Sequence, residues 1–376
     1  MPLKVLIAPS EFKGTLTATE AAEAMEEGVL QAVPDAEVSS VPVADGGPGT
    51  VDAFLAAAPD GEVQHTDVED PLGRPVTARW ATFQEGELAV LEMSSASGLS
   101  LLLPDERKPL EANTFGTGQL VMAALDKGCK RILLGAGGSA TTDGGFGACM
   151  ALGVRFMDKL GRQLKPQPAN LARLNEVVMV HRDGRLGQVE LIVLADCENP
   201  LLGEKGSARV YGPNKGADEA TVEKLESLLE HLVLIAGQQL SVTMANRTGA
   251  GAAGGLAWGL GTFCAATIRR GFDVVAEALS LSTLIADADH VLTGEGRLDP
   301  ETVFFKAPWG VGRMARMQKK RSLIFAGSSV VTLQQVRDAF DQVVTVGRGD
   351  VPDKLEARER LVRATRDWAR AAARSA

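Results

Sequence analysis

The sequence predicts an α/β protein built on parallel strands, and three observations carry that expectation. Short apolar segments are followed by glycine-rich turns and then helical runs, the alternation produced by parallel strands joined through crossover helices. Glycine accounts for 41 residues while aromatics make up only 5%, which points to tight backbone turns and a small-residue interior. At 376 residues the chain exceeds one ordinary domain and suits two, since domains cluster at about 100 to 200 residues.

Each element has a local reason. Residues 4–8 form a short apolar strand, and a helix follows over 17–31 with Thr17 and Glu20 spaced as a capping box. A strand over 37–43 leads through Asp45-Gly46-Gly47-Pro48-Gly49-Thr50 into a helix reaching Ala58. Between residues 62 and 93 the pattern changes to three short alternating segments, 63–68, 76–83 and 88–93. Turns at Pro71-Leu72-Gly73 and Glu85-Gly86 separate them, which reads as antiparallel. A helix over 117–126, a strand over 131–134, a glycine-rich loop and a further helix near Gly147 come next. A strand over 189–195 then stops at Asp196. The remainder offers a helix over 218–236, a small-residue segment at 249–255 and a strand over 290–292 that stops at Thr293-Gly294-Glu295-Gly296. Strands over 323–325 and 342–346 follow, with a last helix after Pro352. In that helix Leu361, Thr365, Trp368 and Ala372 lie at helical spacing, so its arginines are expected on a solvated face.

Composition removes several classes of function. With 45% hydrophobic and 23% charged residues, and no apolar run near the ~18 residues that a spanning helix needs, neither disorder nor membrane insertion is expected. A net charge of -9 opposes general binding to nucleic acid or anionic lipid, while leaving room for a local anion site. Cys129, Cys149, Cys197 and Cys264 are widely spaced with no paired motif and no nearby histidine, so they read as reduced thiols. The apolar stretch at the amino terminus is too short for a signal peptide, which gives a cytoplasmic expectation. His65, His181, His231 and His290 carry no motif and read as structural or surface residues.

Three loops, 45–50, 135–147 and 293–299, each follow a predicted strand and have the character of anion sites. Ligands of open α/β sheets bind beyond the carboxyl ends of the strands, where glycines let backbone N–H groups approach a phosphate. The run Gly135-Ala136-Gly137-Gly138-Ser139-Ala140 also fits a dinucleotide-binding pattern, with Asp158 about 20 residues on, so an NAD(P)-dependent dehydrogenase stays open as an alternative. Against it, Thr141-Thr142-Asp143-Gly144-Gly145 is a poor helix-forming run where the dinucleotide-binding helix belongs. Gly249, Gly251 and Gly254 repeat the pattern after residues too polar for a buried strand, so close helix packing is expected there. His181-Arg182-Asp183 imitates a protein-kinase catalytic loop, but Gly184 and Gln188 depart from it and no Asp-Phe-Gly or Walker A motif occurs.

Eight segments in order resemble the bacterial glycerate kinase family of the first type. They are KVLIAPSEFKGTLTATEAA (4–22), VADGGPGT (43–50), NTFGTGQL (113–120), GAGGSATTDGG (135–145), ADCENPLLG (195–203), YGPNKGA (211–217), GAGAAGG (249–255) and TGEGRLDPETVFFKAPWGV (293–311). The resemblance runs over almost the full chain. It implies a Rossmann-like or flavodoxin-like parallel-sheet domain formed by 1–68 plus 286–376, an α/β domain with glycine-rich loops inserted at 69–285, and an active site in the cleft between them. It also implies phosphorylation of D-glycerate to 2-phosphoglycerate with ATP and Mg2+, the 3-phosphoglycerate product being the alternative. The partners are then D-glycerate and ATP, with no nucleic acid and no membrane; a homo-oligomer stays open. Ser10, Pro48, Thr142 and Phe305 depart from the family pattern, which bears on substrate preference and leaves a small-anion sensor as a third reading.

Phosphoryl transfer to a sugar-acid hydroxyl needs the γ-phosphate held in line, a divalent metal to neutralise its oxygens and cations for the substrate carboxylate. Asp196, Lys13, Arg297 and Lys306 are the candidate catalytic residues, and Asp45, Gly46, Gly47, Arg297 and Asp299 the candidate substrate-binding ones. Arg297 suits a carboxylate by its bidentate geometry, with an ion pair to Glu295 or Asp299 as the structural alternative. Asp196, ending an apolar strand, is placed to accept a hydroxyl proton or to cap the following turn. Gly137, Gly138, Ser139, Thr141 and Lys215 are the candidate phosphate- or nucleotide-binding residues. Asp143 and Asp196 are the candidate magnesium ligands, the division between base and metal ligand being left open.

Overall fold

The computed structural model describes residues 2–240, 244–300, 302, 306–347 and 352–374; Phe305 lies outside them. In chain order the elements begin with β1 (Lys4–Ile7), α1 (Ala18–Ala32), β2 (Glu37–Ser40) and α2 (Thr50–Ala57). There follow β3 (Glu62–Glu69), β4 (Pro75–Phe83), β5 (Leu88–Glu92), α3 (Ser94–Ser97), α4 (Phe115–Asp126), β6 (Arg131–Gly135) and α5 (Phe146–Ala151). Next come β7 (Arg155–Met157), β8 (Glu176–Val178), β9 (Glu190–Ala195), α6 (Ser207–Tyr211), α7 (Glu219–Leu240), α8 (Ala252–Phe263) and β10 (Thr267–Arg270). The chain closes with α9 (Gly271–Ala278), α10 (Leu281–Asp287), β11 (His290–Leu298), α11 (Ala307–Met317), β12 (Arg321–Ser329), α12 (Leu333–Val336), β13 (Gln342–Thr345) and α13 (Lys354–Ala373).

The chain divides into two compact units. One comprises Met1–Asp45, Asp52–Pro59 and Phe272–Ala376, the other Gly46–Val51 and Asp60–Gly271. These limits differ from the expected 1–68, 69–285 and 286–376 at both joins. Residues 62–69 pair along their whole length with β4 and so belong to the second unit, while α9 and α10 go with the first.

The first unit is a five-stranded sheet in the order β13-β12-β11-β1-β2, every pair parallel. Helix α1 starts where expected: the Thr17 hydroxyl accepts from the Glu20 N–H, and the Glu20 carboxylate accepts from the Thr17 N–H. Its buried face of Ala21, Ala22, Ala24, Met25 and Val29 packs on α13 through Leu361, Val362 and Ala369. The two helices cross at Gly28, where an added Cβ would lie 2.1 Å from Thr365 Oγ1.

The second unit is a six-stranded sheet in the order β10-β9-β6-β5-β4-β3. As the turn pattern indicated, β3, β4 and β5 are antiparallel, and from β5 onward through β6, β9 and β10 the pairing is parallel. The core on one face includes Phe146, Phe156, Phe263 and Trp258, whose rings meet edge to face with centroids 4.8, 5.4 and 5.6 Å apart in sequence. The 249–255 segment serves close packing, as expected: a Cβ on Gly254 would lie 1.9 Å from the Thr141 carbonyl oxygen, and one on Gly251 would lie 2.3 Å from that of Pro200. Among the described residues no helix is long and apolar enough to cross a membrane.

Candidate active site

In the second unit the site grows from the carboxyl ends of β6 and β9. Ala136 N donates to Leu194 O at 3.1 Å, and Gly137 N donates to Gly46 O at 2.9 Å, so the 46–51 and 135–139 segments lie against each other. Only glycines permit this approach: a Cβ on Gly137 would stand 2.5 Å from Gly47 Cα and 3.2 Å from an Asp196 carboxylate oxygen. The predicted phosphate loop, the Gly46-Gly47 turn and Asp196 therefore converge. Gly46 and Gly47 spend their backbone on this packing and on Thr50, whose hydroxyl donates to Gly47 O at 2.6 Å.

Lys215 completes the cluster. The short turn after α6 carries it inward, leaving it only 6% exposed. Its ammonium donates to Ser139 Oγ at 2.8 Å and to the Thr141 carbonyl at 2.5 Å. Burial pulls its pKa down to about 8, against the opposing pull of Asp143, Asp196 and Cys197. The hydroxyls of Thr141, whose carbonyl this ammonium bonds, and of the adjoining Thr142 are buried and have no hydrogen-bond partner among the described residues.

The Asp143 carboxylate, a candidate magnesium ligand, is occupied by four donors of the chain. It is fully buried, and one oxygen accepts from Thr114 N, Thr114 Oγ1 and Gly147 N while the other accepts from Gly145 N. The carboxylate thus closes the amino-terminal turns of both α4 and α5, and burial raises its pKa against those four bonds. Among the described residues no group of three or more His, Cys, Asp or Glu could hold a metal ion. A magnesium ion that arrives with ATP needs only one or two carboxylates besides phosphate oxygens.

The dinucleotide-binding arrangement is also absent from 135–140. No helix begins until Phe146, and the first turn of that helix is already satisfied by Asp143. The first turn of α2 is likewise met by a carboxylate of the chain, since Val51 N donates to Glu92 at 2.8 Å. Asp183 in the false kinase motif merely caps a turn, accepting from Arg185 N at 2.9 Å.

In the first unit the 293–299 segment is not a glycine loop. β11 continues through it to Leu298 and pairs with β12 as far as Ser329. Gly294 and Gly296 are required there for packing: a Cβ on the first would meet the Phe12 ring at 2.9 Å, and on the second Lys13 N at 2.8 Å. Lys13 is thereby placed beside the end of β11. Arg297 extends from the strand, 65% exposed, 3.6 Å from the Asp299 carboxylate, which fulfils the ion-pair alternative. Asp45 accepts from Ala307 N at 3.3 Å, so one of its oxygens caps α11, whose N-cap residue is Lys306.

Glu295 is the residue that sequence reasoning passed over. It is 9% exposed, accepts from Thr302 Oγ1 at 2.8 Å, and burial first, with Asp299 and Asp45 adding, pushes its pKa up to about 8. Glu11 is raised in the same way by burial, with Lys13 and Lys306 opposing. The available signal was a carboxylate set between two glycines in an apolar strand. A shallow depression lined by Lys4, Glu37, Ser39 and Asp287 sits at the opposite, amino-terminal edge of this sheet and holds none of these groups.

Glycine-built turns, a buried cation and a carboxylate meet at the carboxyl ends of parallel strands, the place where α/β enzymes bind their ligands. The sequence model of the glycerate kinase family matches residues 5–374. The chain is 42% identical over 371 residues to a protein named glycerate kinase from Bacillus subtilis (strain 168), covering 98% of this chain and 97% of that one. It is 38% identical over 353 residues to glycerate 2-kinase of Escherichia coli (strain K12), with 93% and 92% covered. A crystal structure of a provisional glycerate kinase 2 from Salmonella typhimurium LT2 superposes with a TM-score of 0.86 at 36% identity, covering 100% of this chain and 99% of that one. The chain belongs to the glycerate kinase family.

Proposed function

We propose that this enzyme transfers the γ-phosphoryl group of MgATP to the 2-hydroxyl of D-glycerate, giving 2-phosphoglycerate and ADP. The observation that carries the reading is the buried Lys215 ammonium bonded into the Gly137–Thr141 turn, with Asp196 against Gly137. A fixed cation and close backbone suit phosphate oxygens, and a carboxylate at the end of β9 suits removal of a hydroxyl proton. The relative named glycerate 2-kinase supports the position phosphorylated.

In this reading Gly137, Gly138, Ser139, Thr141 and Lys215 receive phosphate, and Asp196 is the base. Arg297, 65% exposed with its Nε turned to Asp299, is the residue proposed for the glycerate carboxylate. Lys13 and Lys306 add positive charge for the phosphates, and Asp299 orients Arg297. Magnesium supplies neutralisation of phosphate charge when bound. The cytoplasmic location expected from the sequence is part of the same proposal.

Release of ADP that depends on D-glycerate, MgATP and enzyme together is the expected result. ADP release at the same rate with and without D-glycerate would refute the assignment.

A further inference from the structure

We propose that Lys215, with Ser139 and the hydroxyls of Thr141 and Thr142, holds the phosphoryl group in transfer and not the α- and β-phosphates that stay with the nucleotide. The proposal rests on the kinase reading above and names which phosphate this turn receives.

Two independent features mark the turn as built for a ligand. An ammonium has three N–H donors, and the bonds to Ser139 Oγ and the Thr141 carbonyl use two of them, leaving one. The hydroxyls of Thr141 and Thr142 are buried, at 0% and 1% exposure, with no partner among the described residues. A buried hydroxyl without a partner is costly, and an anionic oxygen that accepts from it removes that cost.

Adjacency to Asp196 identifies the phosphate. The base for the glycerate hydroxyl must stand next to the oxygen it deprotonates, and that oxygen is in line with the phosphorus it attacks. The Asp196 carboxylate lies against Gly137, and it is near enough to Lys215 for its charge to oppose the fall in the lysine's pKa, so the base and the fixed cation are neighbours. In the step, the bond between the γ-phosphorus and the oxygen bridging it to ADP breaks, and a bond from the glycerate oxygen to that phosphorus forms. The hydroxyl proton passes to Asp196, and the bridging oxygen leaves with ADP. Charge on the phosphoryl oxygens during this exchange is met by a cation already fixed and largely removed from water, where its field is stronger than at the surface.

The test compares binding of ADP with binding of ADP plus beryllium fluoride, which occupies the place of the transferring group, alongside kcat with MgATP and D-glycerate. Lys215→Met is expected to change the Kd for ADP by less than about threefold. It should abolish the tightening that beryllium fluoride gives and lower kcat by about 10²–10³. Ser139→Ala, which leaves the lysine and its Thr141 bond in place, is expected to show the same split at about fivefold. It carries the test if Lys215→Met does not fold. Equal weakening of ADP and of ADP with beryllium fluoride, or a kcat close to that of the unmodified enzyme, overturns the proposal. An unmodified enzyme that releases no ADP with D-glycerate refutes the kinase reading, whereas normal turnover with equal weakening in the variants refutes only this assignment.

Discussion

The carboxylate of Asp143 is bound twice by Thr114, through the backbone N–H at 2.9 Å and through the hydroxyl at 2.7 Å. Since the same carboxylate also accepts from Gly145 and Gly147, it ties the start of α4 to the start of α5. An acidic residue in a glycine-rich loop thus has a structural task, and the base role is proposed for Asp196.

Asp143→Ala removes four hydrogen bonds inside the second unit and leaves their donors unmet. A loss of about 3 kcal/mol or more is expected, because orphaned buried donors carry their full desolvation cost. Denaturant unfolding measures it. Unchanged stability combined with a raised magnesium requirement would return Asp143 to the role of metal ligand.

Asp196→Asn is expected to lower kcat by about 10²–10⁴ while thermal stability is kept, because the amide preserves shape and cannot accept the hydroxyl proton. Steady-state kinetics and a melting curve on one preparation decide it. Full activity in this variant would remove Asp196 as the base.

Arg297→Ala is expected to raise KM for D-glycerate by roughly 10- to 100-fold, the worth of a charge-assisted pair, and to leave KM for ATP and the melting temperature alone. The side chain is 65% exposed and pairs only loosely with Asp299, so folding has little to lose. A change confined to KM for ATP would place Arg297 on the nucleotide instead.

Glu295 makes the first unit sensitive to pH. Its pKa rises from 4.5 in the unfolded chain to about 8 in the fold, so the folded state binds the proton more tightly. The stabilisation this provides is complete below about 4.5 and is lost as pH rises toward about 8. Glu295→Gln keeps an oxygen for the Thr302 hydroxyl and carries no charge. The variant is expected to flatten the decline and to be more stable at the upper end of that window, by on the order of 3 kcal/mol. Parallel stability curves for the two proteins across the window would show that Glu295 is ionised in the fold.

What the sequence made legible follows from the range of the interactions. The Thr17–Glu20 capping box spans three residues, and the alternation of 63–68, 76–83 and 88–93 exposes one sheet face, so both were readable without tertiary contacts. Lys215 and Ser139 are 76 residues apart, and Thr114 and Asp143 are 29 apart; only the fold brings each pair together. Glycine content misled at 293–298 because loop propensity is weaker than parallel pairing with β12, and the glycines are there to admit Phe12 and Lys13. The candidate residues of the phosphate turn were visible as types, whereas their burial, which sets the charge behaviour of Lys215 and Glu295, was not.

The central claim is tested most directly by following product formation from MgATP and D-glycerate with enolase present, once alone and once with phosphoglycerate mutase added. Conversion of the product by enolase alone is the expected result and establishes phosphorylation at the 2-hydroxyl. Conversion only when the mutase is present would show phosphorylation at the 3-hydroxyl, and no product under either condition would contradict the assignment of D-glycerate as the substrate.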